Sequence, residues 1–357
     1  MDSSESPPIM SEMIRFSSVS HFLHSRILWF LIAVYALAAL VPHPALVLRD
    51  ISLPAGAGAA LGMPATLPAL LLAFLLFNAG FGARSSALRS LRQSSLVLGA
   101  GTLANLAVPL LALVAASVFL RSWDNPAEVQ NVLVGIVLIA SMPIAGSSTA
   151  WAQKAEGDLS VSLGLVLLST AISPLTTPLL LRIGSAITAG DWSRHLSELA
   201  GQATGNFLLL FVLVPSLVGI VLRSILGENA VQRIQPAVKF ANLIVLLLLC
   251  YLNAAVSLPH VLAQPNPEFL AMALGVTTSL CLLMFGAGWI LASLLRLDRS
   301  RRAPLVFGLG MNNNGTGLVV AASAMPSYPL VLLPILLYNL VQHLAAGAAD
   351  RLLFSKS

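Results

Sequence analysis

The chain has 357 residues, 57% of them hydrophobic and 9% charged, against roughly 25% charged in an average soluble domain. That balance excludes a soluble globular protein and points to an all-α polytopic membrane protein. The net charge of +5 does not signal a nucleic-acid partner, because the basic residues sit in short clusters between apolar runs. The sequence carries no zinc-ligand spacing, P-loop or dinucleotide fingerprint.

In chain order, residues 1–22 are polar and Ser-rich and read as a cytoplasmic tail. The apolar run beyond Arg26 lacks a convincing cleavage site, so it reads as a retained first span and not as a signal peptide. Windows long enough to cross a bilayer recur at 23–42, 65–83, 94–120, 130–152, 159–181, 205–226, 237–258, 268–295, 304–325 and 328–349, which makes ten spans. Residues 43–64, half-apolar and rich in Pro and Gly, read as a re-entrant or interfacial piece. Residues 23–353 form a single membrane domain and 354–357 a short C-terminal tail. Cys250 and Cys281 fall inside apolar segments and indicate no disulfide framework.

Charge orients the spans. With both termini cytoplasmic, only Arg49, Arg121, Arg182 and Arg194 lie outside, and the other fifteen of the nineteen Lys and Arg lie inside. Ten spans divide into two fives, and an odd number per half makes any homology an inverted repeat. Leu76-Phe77-Asn78-Ala79-Gly80 echoes Tyr251-Leu252-Asn253-Ala254-Ala255 five spans later.

Spans 4 and 9 both lose their apolar pattern near the middle. The fourth carries Met142-Pro143-Ile144-Ala145-Gly146-Ser147-Ser148-Thr149, and the ninth Gly310-Met311-Asn312-Asn313-Asn314-Gly315-Thr316-Gly317. Gly, Pro and consecutive amides or hydroxyls favour unwinding, and bare amides at membrane depth are costly unless they line a cavity or bind something. Paired discontinuous helices mark a transporter binding site: half-helix N-termini face an anionic group and freed carbonyls hold a cation. None of the 14 acidic residues lies at mid-span.

These elements resemble the bile acid:sodium symporter family over roughly Phe74 to Leu353. The matching stretches are Phe77–Gly82, Pro143–Thr149 with Gly157-Asp158-Leu159-Ser160, Ser169–Pro178, Asn312-Asn313, and Val341–Gly347. The resemblance implies two inverted five-helix repeats, with a panel of spans 1, 2, 6 and 7. It implies a core of spans 3–5 and 8–10 in which broken helices 4 and 9 cross. Substrate would contact Gly146, Ser147, Asn313, Asn314, Asn78 and His343. Na+, the coupling ion the resemblance implies, would contact Ser148, Thr149, Ser162, Asn312 and the carbonyls of Leu309 and Met311. The family's ninth-span glutamate falls on Gly308, its fifth-span threonine on Val166 and its third-span glutamine on Ala104, beside Asn105.

The resulting expectation is a multi-pass protein of the cell or inner membrane. It moves a small or amphipathic organic anion by alternating access, by sodium symport or by a sodium-independent route of the same fold. Its partners are that anion and the lipid bilayer, with no obligate protein partner. An enzyme would need an intramembrane acid, base or nucleophile with a partner, and the spans offer none. A channel would need a continuous pore around a symmetry axis. His343 reads as a packing histidine or a proton relay, and Trp151 as an interfacial anchor.

Overall fold

The computed structural model describes residues 27–52, 65–83 and 94–354; the N-terminal tail, the basic loop holding Arg84, Arg89 and Arg92, and most of the Pro/Gly-rich piece lie outside the described residues. Helices run in the order α1 (Ile27–Leu40), α2 (His43–Arg49), α3 (Leu67–Gly82), α4 (Ser95–Phe119), α5 (Pro126–Ser141), α6 (Ser147–Lys154), α7 (Leu159–Ile187), α8 (Gly190–Leu199) and α9 (Gln202–Leu208). They continue through a π-helical turn at Leu209–Leu213 into α10 (Val214–Ala263), α11 (Pro267–Leu294), α12 (Arg299–Gly310), α13 (Asn314–Ala324) and α14 (Leu332–Leu353). The protein is all-helical among the described residues. Five helical runs are long and apolar enough to cross a bilayer, and α1 with α2, bent by 94°, makes a sixth. Leu96, Leu103, Leu111, Phe119, Ile290 and Leu294 are all well over half exposed. Outward-facing apolar side chains in such number fit a lipid surround.

The start signals are local. Asn125 and Asn266 each accept a backbone N–H just before a first-turn proline, opening α5 and α11. Asp158 and Asp298 likewise accept backbone N–H groups at the starts of α7 and α12, which have no first-turn proline. Such caps satisfy N–H groups that a helix start leaves over. Pro174 inside α7 removes the donor that would meet the Thr170 carbonyl, and the Ser173 hydroxyl donates there instead at 2.8 Å. Gly227, at φ 75°, divides α10 into two helices; a side chain would be strained in that left-handed region.

The connections gather at two ends. At one, Trp192 of α8 donates to Asn131 and stacks near Tyr328, and Asn266 donates to Glu128; this is called the α8 end. At the other, Lys154 pairs with Asp350 at 2.9 Å, Arg299 donates to the Phe354 carbonyl, and Arg223 pairs with Glu228; this is the basic end.

One helix group comprises α1, α3 and the two halves of α10. There α3 and α10 touch backbone to backbone: a Cβ on Gly80 would collide with the Ser216 carbonyl, and one on Gly219 with the Phe77 carbonyl. Small residues permit this approach where no hydrophobic drive between helices exists in lipid. A second group packs α4, α5, α7, α11, α12 and α14 around a continuous buried core. Gly219→Val should therefore separate α3 from α10 and destabilise the protein by about 1–3 kcal/mol or more, read as a lowered unfolding midpoint in detergent.

Candidate functional site

Helix α5 stops at Ser141 and α6 begins at Ser147; α12 stops at Gly310 and α13 begins at Asn314. The two gaps cross. Ile144 and Asn312 form an isolated antiparallel bridge, in which Ala145 N–H donates to the Met311 carbonyl at 2.8 Å and Asn313 N–H to the Pro143 carbonyl at 2.8 Å. The N–H groups of Asn312 and Asn313 are thereby turned away from Gly308 and Leu309, leaving those carbonyls without their helical donors. The Gly310 carbonyl instead accepts from Tyr338 at 3.3 Å.

The three asparagines have three environments. Asn312 is buried and donates its amide to the Ile139 carbonyl at 3.0 Å, so it ties α13's entry to α5's exit. Asn313 is half-buried, and its Oδ1 caps α13 by accepting from Thr316 N–H. Asn314 is buried and donates to Gln342 Oε1 at 3.1 Å, the same oxygen that receives Asn312 N–H at 3.2 Å. Gln342 donates onward to Asn339, which donates to the Tyr35 hydroxyl on α1.

Four buried oxygens here have no hydrogen-bond partner: Asn312 Oδ1, Asn314 Oδ1, Thr316 Oγ1 and Ser148 Oγ. Ser162 donates to Thr149 at 3.1 Å beside Ser148 on α6. Gly146 is exposed and opens α6 with no side-chain cap, and Ser147 behind it is half-buried. A Cβ on Gly146 would lie 3.6 Å from Ala79, so the uncapped start of α6 faces α3. Next to Ala79, Asn78 donates to Asn242 of α10 at 3.3 Å. The space between the two helix groups at this level is thus lined by amides on one side and a bare helix N-terminus on the other.

The structure brings Ser148, Thr149 and Ser162 together, and separately Asn312 and Asn314. Met311 offers a carbonyl already engaged by Ala145, whereas the Leu309 carbonyl has lost its helical donor. His343 is half-buried on α14, one turn before Gly347, whose open side faces Trp151. Trp151 stacks on Phe307 with centroids 6.2 Å apart, and Lys154 lies over its ring at 5.0 Å. Ala104 turns outward into an apolar groove with Val108 and Leu282, whereas Asn105 beside it is buried, as is Thr102 one turn earlier. A Cβ on Gly308 would meet Leu165 at 3.3 Å and Ile144 at 3.9 Å, so apolar side chains fill the place of the glutamate.

The profile of the sodium bile acid symporter family matches residues 69–264. The chain belongs to the sodium bile acid symporter family. Its members are transporters and not enzymes. YbaS of Bacillus subtilis, named as an uncharacterized protein, is 23% identical over 217 residues, 60% of this chain and 66% of that one. YocS of the same organism, named as an uncharacterized sodium-dependent transporter, is 25% identical over 214 residues, 57% of this chain and 60% of its own. The human P3 protein is 26% identical over 258 residues, 69% of this chain and 49% of its own. The matches thus span between about half and two thirds of these relatives' own lengths. Asn339 and Asn242 are polar side chains inside apolar windows that motif reading did not single out, and Gln342 and Thr316 lie in quoted stretches but were given no role there.

Gln342→Leu should orphan both Asn312 N–H and the Asn314 amide. At about 1–3 kcal/mol for each buried unpaired group, the unfolding midpoint should drop clearly, whereas Asn339→Ala should cost less because Gln342 would lose only one acceptor.

Proposed function

We propose that this chain is a secondary transporter that moves a small or amphipathic organic anion by alternating access, with Na+ as the coupling ion. On this reading it has ten spans in two inverted five-helix repeats, both ends are cytoplasmic, and residues 23–353 form one transporter domain. The panel holds α1, α3 and the two halves of α10. The core holds α4 to α7 and α11 to α14. Crossed breaks between α5–α6 and α12–α13, each completing the other's hydrogen bonds, are the observation that carries it.

The anionic group of the substrate is placed at the uncapped start of α6, against Gly146 and Ser147, with the amides of Asn313 and Asn78 beside it. Asn314, buried against Gln342, and His343 on α14 support that wall. A helix N-terminus favours negative charge through its dipole; here the Ser148 and Thr149 N–H groups already donate to the Ala145 and Gly146 carbonyls, so the dipole carries the attraction. Na+ is assigned to neutral oxygens: Ser148, Thr149, Ser162, Asn312 and the Leu309 carbonyl, with Met311 at the rim. Partnerless oxygens on Ser148 and Asn312 support this assignment. Among the described residues no group of three His, Cys, Asp or Glu could hold a metal ion. Carbonyls, hydroxyls and amides alone can bind a monovalent cation.

Burial also speaks to conformation. Helix α13, toward the α8 end, is buried on every face from Thr316 to Ala322, whereas α6, toward the basic end, exposes Ala150, Gln153 and Lys154. The site is reached from the basic end, which the charge pattern assigns to the cytoplasm. A sodium-independent transporter of the same fold is the second reading, favoured by Leu165 and Ile144 in the place of the glutamate.

Uptake into proteoliposomes across a panel of organic acids, with Na+ replaced by K+ or choline, separates these readings. Saturable, counterflow-competent uptake that falls at least about tenfold without Na+ supports symport; equal uptake in all three salts supports the second reading, and no carriage of any acid overturns both. Asn313→Ala should abolish flux while costing only about 1 kcal/mol for the lost cap; wild-type uptake by that variant would remove Asn313 from the site. Gly308→Glu alone should destabilise the protein, because its carboxylate would face Leu165, and Gly308→Glu with Leu165→Ser should recover folding.

A further inference from the structure

One face of α10 carries Asn242, Leu249, Asn253 and Ser257, spaced as successive helical turns place residues on one side. Asn242 belongs to the site described above and Leu249 approaches Gly315. Asn253 and Ser257 lie farther along, toward the α8 end. Both are wholly buried, each at 0% exposure, and Asn253 Nδ2 and Ser257 Oγ have no hydrogen-bond partner. Asn253 Oδ1 accepts from Arg49 Nη1 at 2.8 Å. Arg49 ends α2, the short helix turned away from α1, and is half-buried. Among the described residues no carboxylate lies within 4.0 Å of it, and the adjacent Asp50 is exposed.

Three unlike donors therefore lie along one stretch of the fold: the Arg49 guanidinium on Asn253, and the Asn253 amide N–H and Ser257 hydroxyl one turn apart on the same face of α10. Burying such groups without an acceptor is unfavourable, and a guanidinium fork matches a planar oxyanion. Their complement is a negatively charged group that only accepts hydrogen bonds. The four consecutive residues Leu252–Ala255 are buried, so α10 is enclosed on every side at this level and the mouth is shut.

We propose that Arg49, Asn253 and Ser257 form a second oxyanion station at the α8 end of the panel–core seam, which holds the carboxylate or sulfonate of the transported organic anion when that end opens. With the mouth closed, Arg49 rests on Asn253 Oδ1; with it open, the Arg49 fork, Asn253 Nδ2 and Ser257 Oγ turn to the anion. The station rests on the anion-transport reading above but uses none of the crossover residues, so the two can fail separately.

The test measures unfolding midpoints of the full chain in detergent, titrated with benzoate, cholate and taurocholate, with benzamide as the neutral control. Wild-type protein should be stabilised by at least one of the three anions and not by benzamide. Arg49→Gln and Asn253→Ala should weaken the apparent affinity for that anion roughly tenfold, the loss expected for one charge-assisted hydrogen bond. Arg49→Lys should keep most of it, and Asn313→Ala should leave a residual anion response that Arg49→Gln then removes. Unchanged affinity in Arg49→Gln with full loss in Asn313→Ala overturns the station and leaves the crossover site standing. A lower unliganded midpoint in Arg49→Gln with unchanged affinity makes Arg49 a mere strut and overturns it too. If none of the three anions stabilises the wild type, the station is overturned, and proteoliposome uptake then decides the transport reading on its own.

Discussion

Everything at the centre of this protein depends on two backbone hydrogen bonds, Ala145 N–H to Met311 and Asn313 N–H to Pro143. Interrupting a helix away from water strands N–H and C=O groups, and each stranded group costs several kcal/mol in a membrane interior. One break alone would therefore be expelled or refolded into helix. Two breaks laid antiparallel satisfy each other, and Pro143, which has no N–H to strand, serves as a pure acceptor in the exchange. The remaining loose ends are met by side chains: Ser169 for Ile144 N–H, Gln342 for Asn312 N–H and Tyr338 for the Gly310 carbonyl.

That arrangement fixes where polarity can exist. Asn312 and Asn314 spend their donors on the scaffold and leave their oxygens over, so the centre presents acceptors. The start of α6, whose Ser148 and Thr149 N–H groups are engaged within the turn, presents the positive end of its dipole toward α3. Partnerless oxygens and a helix N-terminus thus lie within a few residues of each other, an arrangement that suits the proposed cation and anion. The chain from Gln342 through Asn339 to Tyr35 ties this centre to α1. A hydrogen bond of that kind contributes only about 1 kcal/mol net, so it registers the position of α1 against the crossover without locking it.

Much of this was legible beforehand. The class followed from charge depletion, and both breaks followed from Pro143 and from three adjacent amides in apolar windows, because such residues favour unwinding over continuous helix. The family followed from the order and spacing of several short stretches, and the profile match bears it out. Partnerships were not legible. Nothing local says that Asn339 reaches Tyr35, three hundred residues away, or that Asn242 faces Asn78. Ala104 and Asn105 are adjacent in sequence, and only packing against α7 and α12 decides that Asn105 is the one buried. Trp151 read as interfacial because indoles favour that zone; that Phe307 offers it a ring to stack on was not legible.

Glycine at 308 gives the proposed coupling a physical logic. A cation held by neutral oxygens keeps its full charge, and no carboxylate on α12 offsets it. A substrate anion at the start of α6 then becomes the nearest compensating charge. For unit charges about 8 Å apart at an effective dielectric near 20, the attraction is about 2 kcal/mol, or roughly thirtyfold in mutual affinity. A carboxylate at 308 would supply that attraction from the protein and let the ion bind alone. Without it, on the proposed reading, ion and anion would each bind weakly by themselves and well together. Tight coupling can therefore arise from the absence of a ligand, with Leu165 and Ile144 keeping water from filling the vacated place.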